Sequence, residues 1–144
     1  MADTMNVSDY MTEKPITFKP DDDIFQAIHI ILEKKISGAT VIDENSKIVG
    51  TISELDCLKA ILDASYYGEA RGSVADYMIT ENIVTVKPSI SLTDIAKMIL
   101  DQGHRRIPVV KDDKFVGQFS CRSVLKAVKD ITLPKDRSER VRSE

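Results

Sequence analysis

One stretch of this chain is written twice. Val7-Ser8-Asp9-Tyr10-Met11 returns as Val74-Ala75-Asp76-Tyr77-Met78, and Thr17-Phe18-Lys19-Pro20 returns as Thr85-Val86-Lys87-Pro88. Val49-Gly50 with Ser53 returns as Val116-Gly117 with Ser120, and Leu58-Lys59-Ala60 as Leu125-Lys126-Ala127. A repeat of about half the chain means two copies of one supersecondary unit, each too small to close a core alone. Two such copies packed face to face leave paired clefts at their joint, which are favoured places for small ligands. Differences between the copies then indicate which cleft is used.

Each copy has the same order of elements. Ile16-Thr17-Phe18 reads as a short extended piece stopped by Lys19-Pro20, and Asp23 to Gln26 has the form of a capping box. Ile24, Ala27, Ile28, Ile31 and Leu32 then follow at helical spacing, and Lys34-Lys35 suits the negative end of that helix. Gly38 to Ile42 and Lys47 to Ile52 read as strands joined by the polar turn Asp43-Glu44-Asn45-Ser46. A second helix opens at Ser53 and is expected to carry Leu55, Leu58, Ile61 and Leu62 inward.

In the second copy the capping box is Ser91 to Asp94, and Leu92, Ile95, Ala96, Ile99 and Leu100 give the apolar face. Gly103 sits where a helix ends in the left-handed conformation. Ile107 to Val110 and Lys114 to Phe119 are the strands, and Ser120 opens the last helix. The order is β-α-β-β-α, twice. Copies are expected over residues 7–64 and 74–131, with residues 65–73 as linker and residues 132–144 as a charged, mobile tail.

Composition narrows the function classes. The 144 residues are 42% hydrophobic and 30% charged, with a net charge of −3. That balance lacks the basic surplus of a protein that neutralises nucleic-acid phosphates. No apolar run approaches the roughly 20 residues that span a bilayer, and the polar start is not a secretory signal. Cys57 and Cys121 form neither a metal-ligand spacing nor a disulfide framework, which fits a reduced cytoplasmic setting. Neither nucleic acid nor membrane is an expected partner. With no nucleophile–base set and no metal partners for the two histidines, the chain reads as non-enzymatic.

Duplicated β-α-β-β-α units, an extended piece ending before proline, a Pro-Val-Val strand and a Gly-x-x-Ser-x-x-Asp junction together resemble a tandem CBS-domain pair. The likeness covers roughly Val7 to Ile131. It implies an α/β (α+β) fold of two pseudo-symmetric CBS motifs packed as one globular module. A free-standing regulatory module is implied, one that binds an adenosine-type nucleotide and reports to an effector protein. CBS pairs commonly assemble as homodimers, so a dimer is expected. Function is a separate question from fold, and an interaction module with no physiological nucleotide is the alternative.

The motif Gly50-Thr51-Ile52-Ser53-Glu54-Leu55-Asp56 needs no ligand to make sense: Ser53 caps a helix and Asp56 suits its first turn. The resemblance adds that the Asp56 carboxylate accepts the ribose hydroxyls, while Ser53 and the helix start face the phosphate. In the second copy Ser120 keeps the cap, but Ser123 stands where the carboxylate was. A hydroxyl is a poorer acceptor for a vicinal diol, so the second cleft is expected to be the weaker site. His104-Arg105-Arg106 is by itself a solvated basic turn; in CBS pairs such residues reach phosphates held by the other copy. Arg105 and Arg106 align with the uncharged Ser37 and Gly38. Ile16, Ile36, Ser37, Gly38 and Ala39 would by the same resemblance line the adenine, or else simply pack strands. His29 is expected at the surface. Both cysteines are expected as packed thiols, with a redox role kept as a third reading.

Overall fold

The computed structural model describes residues 7–68 and 72–132. The tail beyond residue 132 and part of the linker lie outside the described residues. The chain forms two compact units, and neither is one uninterrupted repeat. Among the described residues, one comprises 15–68 and 72–83 with the short segment 112–115; the other comprises 7–14, 84–111 and 116–132.

In the first of these, β1 (Thr17–Phe18), β2 (Gly38–Ile42) and β3 (Ile48–Ser53) form a sheet in that order. β1 runs parallel to β2, and β2 antiparallel to β3 with Gly38 opposite Ser53 and Ala39 opposite Ile52. α1 (Ile24–Lys34) starts at Asp23, whose Oδ2 accepts from the backbone N–H of Phe25 at 3.1 Å and Gln26 at 3.0 Å. It ends at Lys35 in the left-handed conformation, φ 56°. The β2–β3 turn is built on Asp43, whose Oδ1 accepts from Asn45 and Lys47 N–H at 2.8 and 2.9 Å. These bonds hold the Asp43 carboxyl below its ordinary value, the Lys47 bond foremost.

α2 (Glu54–Tyr67) departs from expectation. Its Cys57 and Ala60 are buried, whereas Leu55, Leu58, Ile61 and Leu62 point to solvent, Leu55 being 76% exposed. The helix lies on the sheet through small residues, and the larger apolar stripe is left outside. The core beneath is Phe18, Ile24, Ala27, Ile31, Ala39, Val41 and Ile52, joined by Val74.

Val74 comes from the opening of the second repeat. α3 (Val74–Tyr77) and the residues after it belong to the unit built on the first repeat. Val74 N–H donates to Asp22 O at 2.8 Å, and Thr51 and Ile79 exchange backbone bonds of 2.9 and 2.8 Å. Tyr77 Oη donates to Asp63 Oδ2 at 3.0 Å. The second unit repeats the device with the opening of the first copy. A 3-10 turn at Val7–Tyr10 leads to Thr12, which exchanges backbone bonds with Gln118 at 2.8 and 3.1 Å, and Tyr10 Oη donates to Asp130 Oδ2 at 3.0 Å. Each repeat's opening segment thus completes the unit of the other. Gly50 and Gly117 are the seats: a Cβ on Gly50 would stand 2.6 Å from Met78 Sδ, and one on Gly117 would stand 2.7 Å from Thr12 O.

The second unit otherwise holds α4 (Leu92–Gln102), the hairpin β4 (Arg106–Lys111) and β5 (Lys114–Ser120), and α5 (Cys121–Thr132). The hairpin tip is counted with the first unit, where Phe115 N–H donates to Ser46 O at 2.8 Å and Lys47 Nζ lies 3.5 Å from Asp113. α4 is capped by Ser91, which accepts from Asp94 N–H at 3.1 Å, and ends at Gly103 with φ 67°. The expected first strand of this copy is reduced to a single parallel bridge between Val86 and Val109. Ile95, Ile107, Val109, Phe119 and Ala127 are fully buried here.

Candidate functional site

The β3–α2 junction is a bonded polar place in the first unit. Asp56 Oδ2 accepts from Ser53 N–H at 2.8 Å and Ser53 Oγ at 3.0 Å, while Ser53 Oγ accepts from Asp56 N–H at 3.4 Å. This is a complete capping box, so the local reading of Ser53 and Asp56 holds. All of it runs through one carboxylate oxygen. Oδ1 takes no part in the box, so the cap leaves an acceptor over. Asp56 is half-buried, at the start of a fourteen-residue helix.

Four of the five expected adenine-slot residues sit beside this junction or lead into it. Gly38 faces Ser53 across the sheet, and Ser37 O accepts from Glu54 N–H at 3.0 Å. Ala39 is the next residue of β2, and Ile36 leads into that strand while packing on the core. Ile16 also packs on the core, just before β1. Ala39 is only 1% exposed and belongs to the core itself, so a ligand could meet it only through its backbone.

The equivalent junction of the second unit is closed differently. Ser120 N–H donates to Ser123 Oγ at 2.8 Å, Ser123 N–H to Ser120 Oγ at 3.1 Å, and Ser123 Oγ to Ser120 O at 2.9 Å. The serine hydroxyl therefore replaces the carboxylate as a cap partner, and its one proton is already committed. Arg105 O accepts from Cys121 N–H at 3.3 Å, as Ser37 O does from Glu54 N–H, which fixes the alignment of Arg105 with Ser37. His104 and Arg106 are half-buried and Arg105 is exposed. These three residues belong to the second unit, whereas Asp56 and Ser53 belong to the first.

The cysteines differ from each other. Cys57 is buried as expected, and burial followed by the nearby Asp56 and Glu54 carboxylates pushes its thiol above the ordinary value. A helix start lowers a thiol's value; here burial and two carboxylates outweigh it. Cys121 is exposed, contrary to the expected packing, because its place is the first position of α5 on the solvent side. His29 is at the surface, 3.1 Å from Glu33. No group of three metal-ligating side chains occurs among the described residues, and no helix among them is long and apolar enough to cross a membrane. A hollow of about 300 Å³ lined by Lys19, Pro20, Asp21, Asp43, Glu44 and Asn45 shares no residue with the candidate site.

A family model described as the CBS domain matches residues 7–63 and again residues 74–130. The chain belongs to the CBS-domain family. Its sequence is 32% identical over 120 residues to an uncharacterized protein of Methanocaldococcus jannaschii, MJ1225, covering 83% of this chain and 41% of that one. It is 38% identical over 108 residues to inosine-5'-monophosphate dehydrogenase of Nitrosopumilus maritimus, covering 74% of this chain and 20% of the enzyme. The crystal structure of CBSX2 in complex with AMP superposes with a TM-score of 0.75 at 30% identity, over 88% of this chain and 97% of that one. The chain thus spans less than half the length of both sequence relatives. The CBS assignment confirms a mixed α/β pair of motifs.

Proposed function

We propose that this CBS pair is a non-catalytic regulatory module that binds an adenosine-type nucleotide and reports its occupancy to a partner protein. The observation that carries this reading is the divided use of Asp56: Oδ2 caps α2, and Oδ1 is left over to accept from a ribose diol. CBSX2, at 30% identity, supports it as a protein crystallised with AMP. In this reading Ser53 and the start of α2 face the phosphate. Ile16, Ile36, Ser37, Gly38 and Ala39 flank the base. The site around Ser120 and Ser123 is the weaker one, since Ser123 has no spare donor and no charge. No cofactor is required, and the setting is cytoplasmic, with discrimination among AMP, ADP and ATP as an energy signal and a homodimer as the working form.

Titration calorimetry with AMP tests the assignment. Losing a charge-assisted hydrogen bond costs roughly 1.5–3 kcal/mol, so Asp56→Ala is expected to weaken binding about tenfold or more. Ser123→Ala is expected to change it little. Equal affinity of wild type and Asp56→Ala refutes the site. The second reading, an interaction module without a nucleotide, is favoured by the uncovered apolar face of α2. It predicts that no adenosine ligand raises the melting temperature at millimolar concentration, where specific binding would.

A further inference from the structure

We infer that Glu54 sets charge selectivity at the Asp56 site, admitting adenosine with a single phosphate and turning away the diphosphate and triphosphate. This selectivity rests on the nucleotide reading above and narrows it to one ligand class.

Glu54 is the first residue of α2, exposed, one position after Ser53 and two before Asp56. Both carboxylates lie in the first turn, where the helix dipole favours their charged forms. No ion pair forms at Glu54 among the described residues, so its charge is not offset. The fields of the two carboxylates overlap: after burial, Asp56 and then Glu54 push the Cys57 thiol up. Little at this helix start is left to hold an anion. Glu54 N–H already donates to Ser37 O at 3.0 Å, and Asp56 N–H to Ser53 Oγ at 3.4 Å. Ser53 Oγ commits its own proton to Asp56 Oδ2 at 3.0 Å. The start of α2 therefore offers a phosphate its dipole and the amide of Leu55, which suits one anionic group.

The matched helix shows that this carboxylate pair is not demanded by capping. Cys121, Arg122 and Ser123 stand where α2 has Glu54, Leu55 and Asp56, and α5 is capped there by the Ser120–Ser123 bonds without any carboxylate. In α2 the box is closed by Ser53 and Asp56 alone, so the Glu54 side chain carries no part of the cap. Its charge acts on what approaches the junction from solvent. Each phosphate beyond the first adds about one negative charge to the ligand. A unit charge about 7 Å from Glu54 costs about three- to sevenfold in affinity at surface-like screening.

Titration calorimetry of the full chain with adenosine, AMP, ADP and ATP in magnesium-free buffer tests this. The wild type is expected to bind AMP about tenfold or more tighter than ATP, with ADP between them. Glu54→Gln, at an exposed position outside the box, is expected to shrink the AMP-to-ATP ratio about fivefold or more. Adenosine, which carries no phosphate, should bind this variant within about twofold of wild type. Raising the salt from about 0.05 to about 0.5 M is expected to narrow the wild-type ratio as well. Glu44→Gln removes the same charge beyond the far end of β2, about 16 Å of strand from Gly38 and outside a Debye length of about 10 Å. It is expected to leave the ratio within about twofold of wild type. A wild type that binds ATP as tightly as AMP overturns the selectivity and spares the nucleotide reading. So does a ratio unmoved by Glu54→Gln, or one moved as far by Glu44→Gln. A wild type that binds none of the four ligands removes the nucleotide reading, and the selectivity with it.

Discussion

Gly50 offers a direct test of how the opening segments are seated. In Gly50→Ala the new methyl would stand 2.6 Å from Met78 Sδ and 3.0 Å from both Met78 Cγ and Ile79 O. The sulfur can retreat, because a methionine side chain is flexible. The carbonyl cannot retreat cheaply, since it accepts Thr51 N–H at 2.9 Å while Ile79 N–H donates to Thr51 O at 2.8 Å. Overpacking of this kind costs about 1–3 kcal/mol, and loss of the bridge adds about 1 kcal/mol per bond. We expect about 2 kcal/mol from urea unfolding. Met78→Ala in the same chain should return part of it, with a coupling of at least about 0.5 kcal/mol in a double-mutant cycle. The matched seat behaves differently. At Gly117 the nearest atom is backbone, Thr12 O at 2.7 Å, with Met11 Sδ at 3.0 Å. Gly117→Ala should be at least as damaging, and Met11→Ala should rescue it little. A Gly50→Ala protein within about 0.5 kcal/mol of wild type would refute the seating.

Lys35 and Gly103 end matched helices in the same left-handed conformation, φ 56° and 67°. Lys35→Gly is therefore expected to stabilise by about 1 kcal/mol and Gly103→Ala to destabilise by as much, read from urea midpoints. Asp43 titrates below its ordinary 3.8 in the fold. Its contribution is thus present above that value and lost as pH falls through the lower folded one, so the midpoint gap between wild type and Asp43→Asn should close on acidification. A gap independent of pH contradicts this. Cys121 is expected to alkylate readily in the folded chain, while Cys57, buried and with its thiol pushed up, stays protected until unfolding. Equal labelling rates would revive a reactive role for Cys57.

Local chemistry was legible where a residue's job is settled by its neighbours in sequence. Ser53, Ser91 and Gly103 do what their spacing announces, and the strands of both hairpins lie within a residue or so of expectation. Asp56 was legible as a cap for the same reason. The failures share a cause: helical periodicity shows that a stripe is apolar, not what covers it. In α2 the close-packed face is made of Cys57 and Ala60, small enough for the helix to lie on the sheet, so the leucines fall outside. The charge of Lys35 suits the helix end, but it is its backbone that does the work of a glycine. Nor could a repeat reveal that each opening segment would serve the other unit. Identical copies leave no mark in sequence of which partner a segment takes.

That exchange bears on ancestry and on how the chain can be cut. A lone repeat would leave the seat at Gly50 empty and its own Met11 without a place, so an ancestral half-length protein would have had to trade opening segments with a twin. Cleavage in the linker should therefore yield fragments that rejoin, rather than a pair of independent domains.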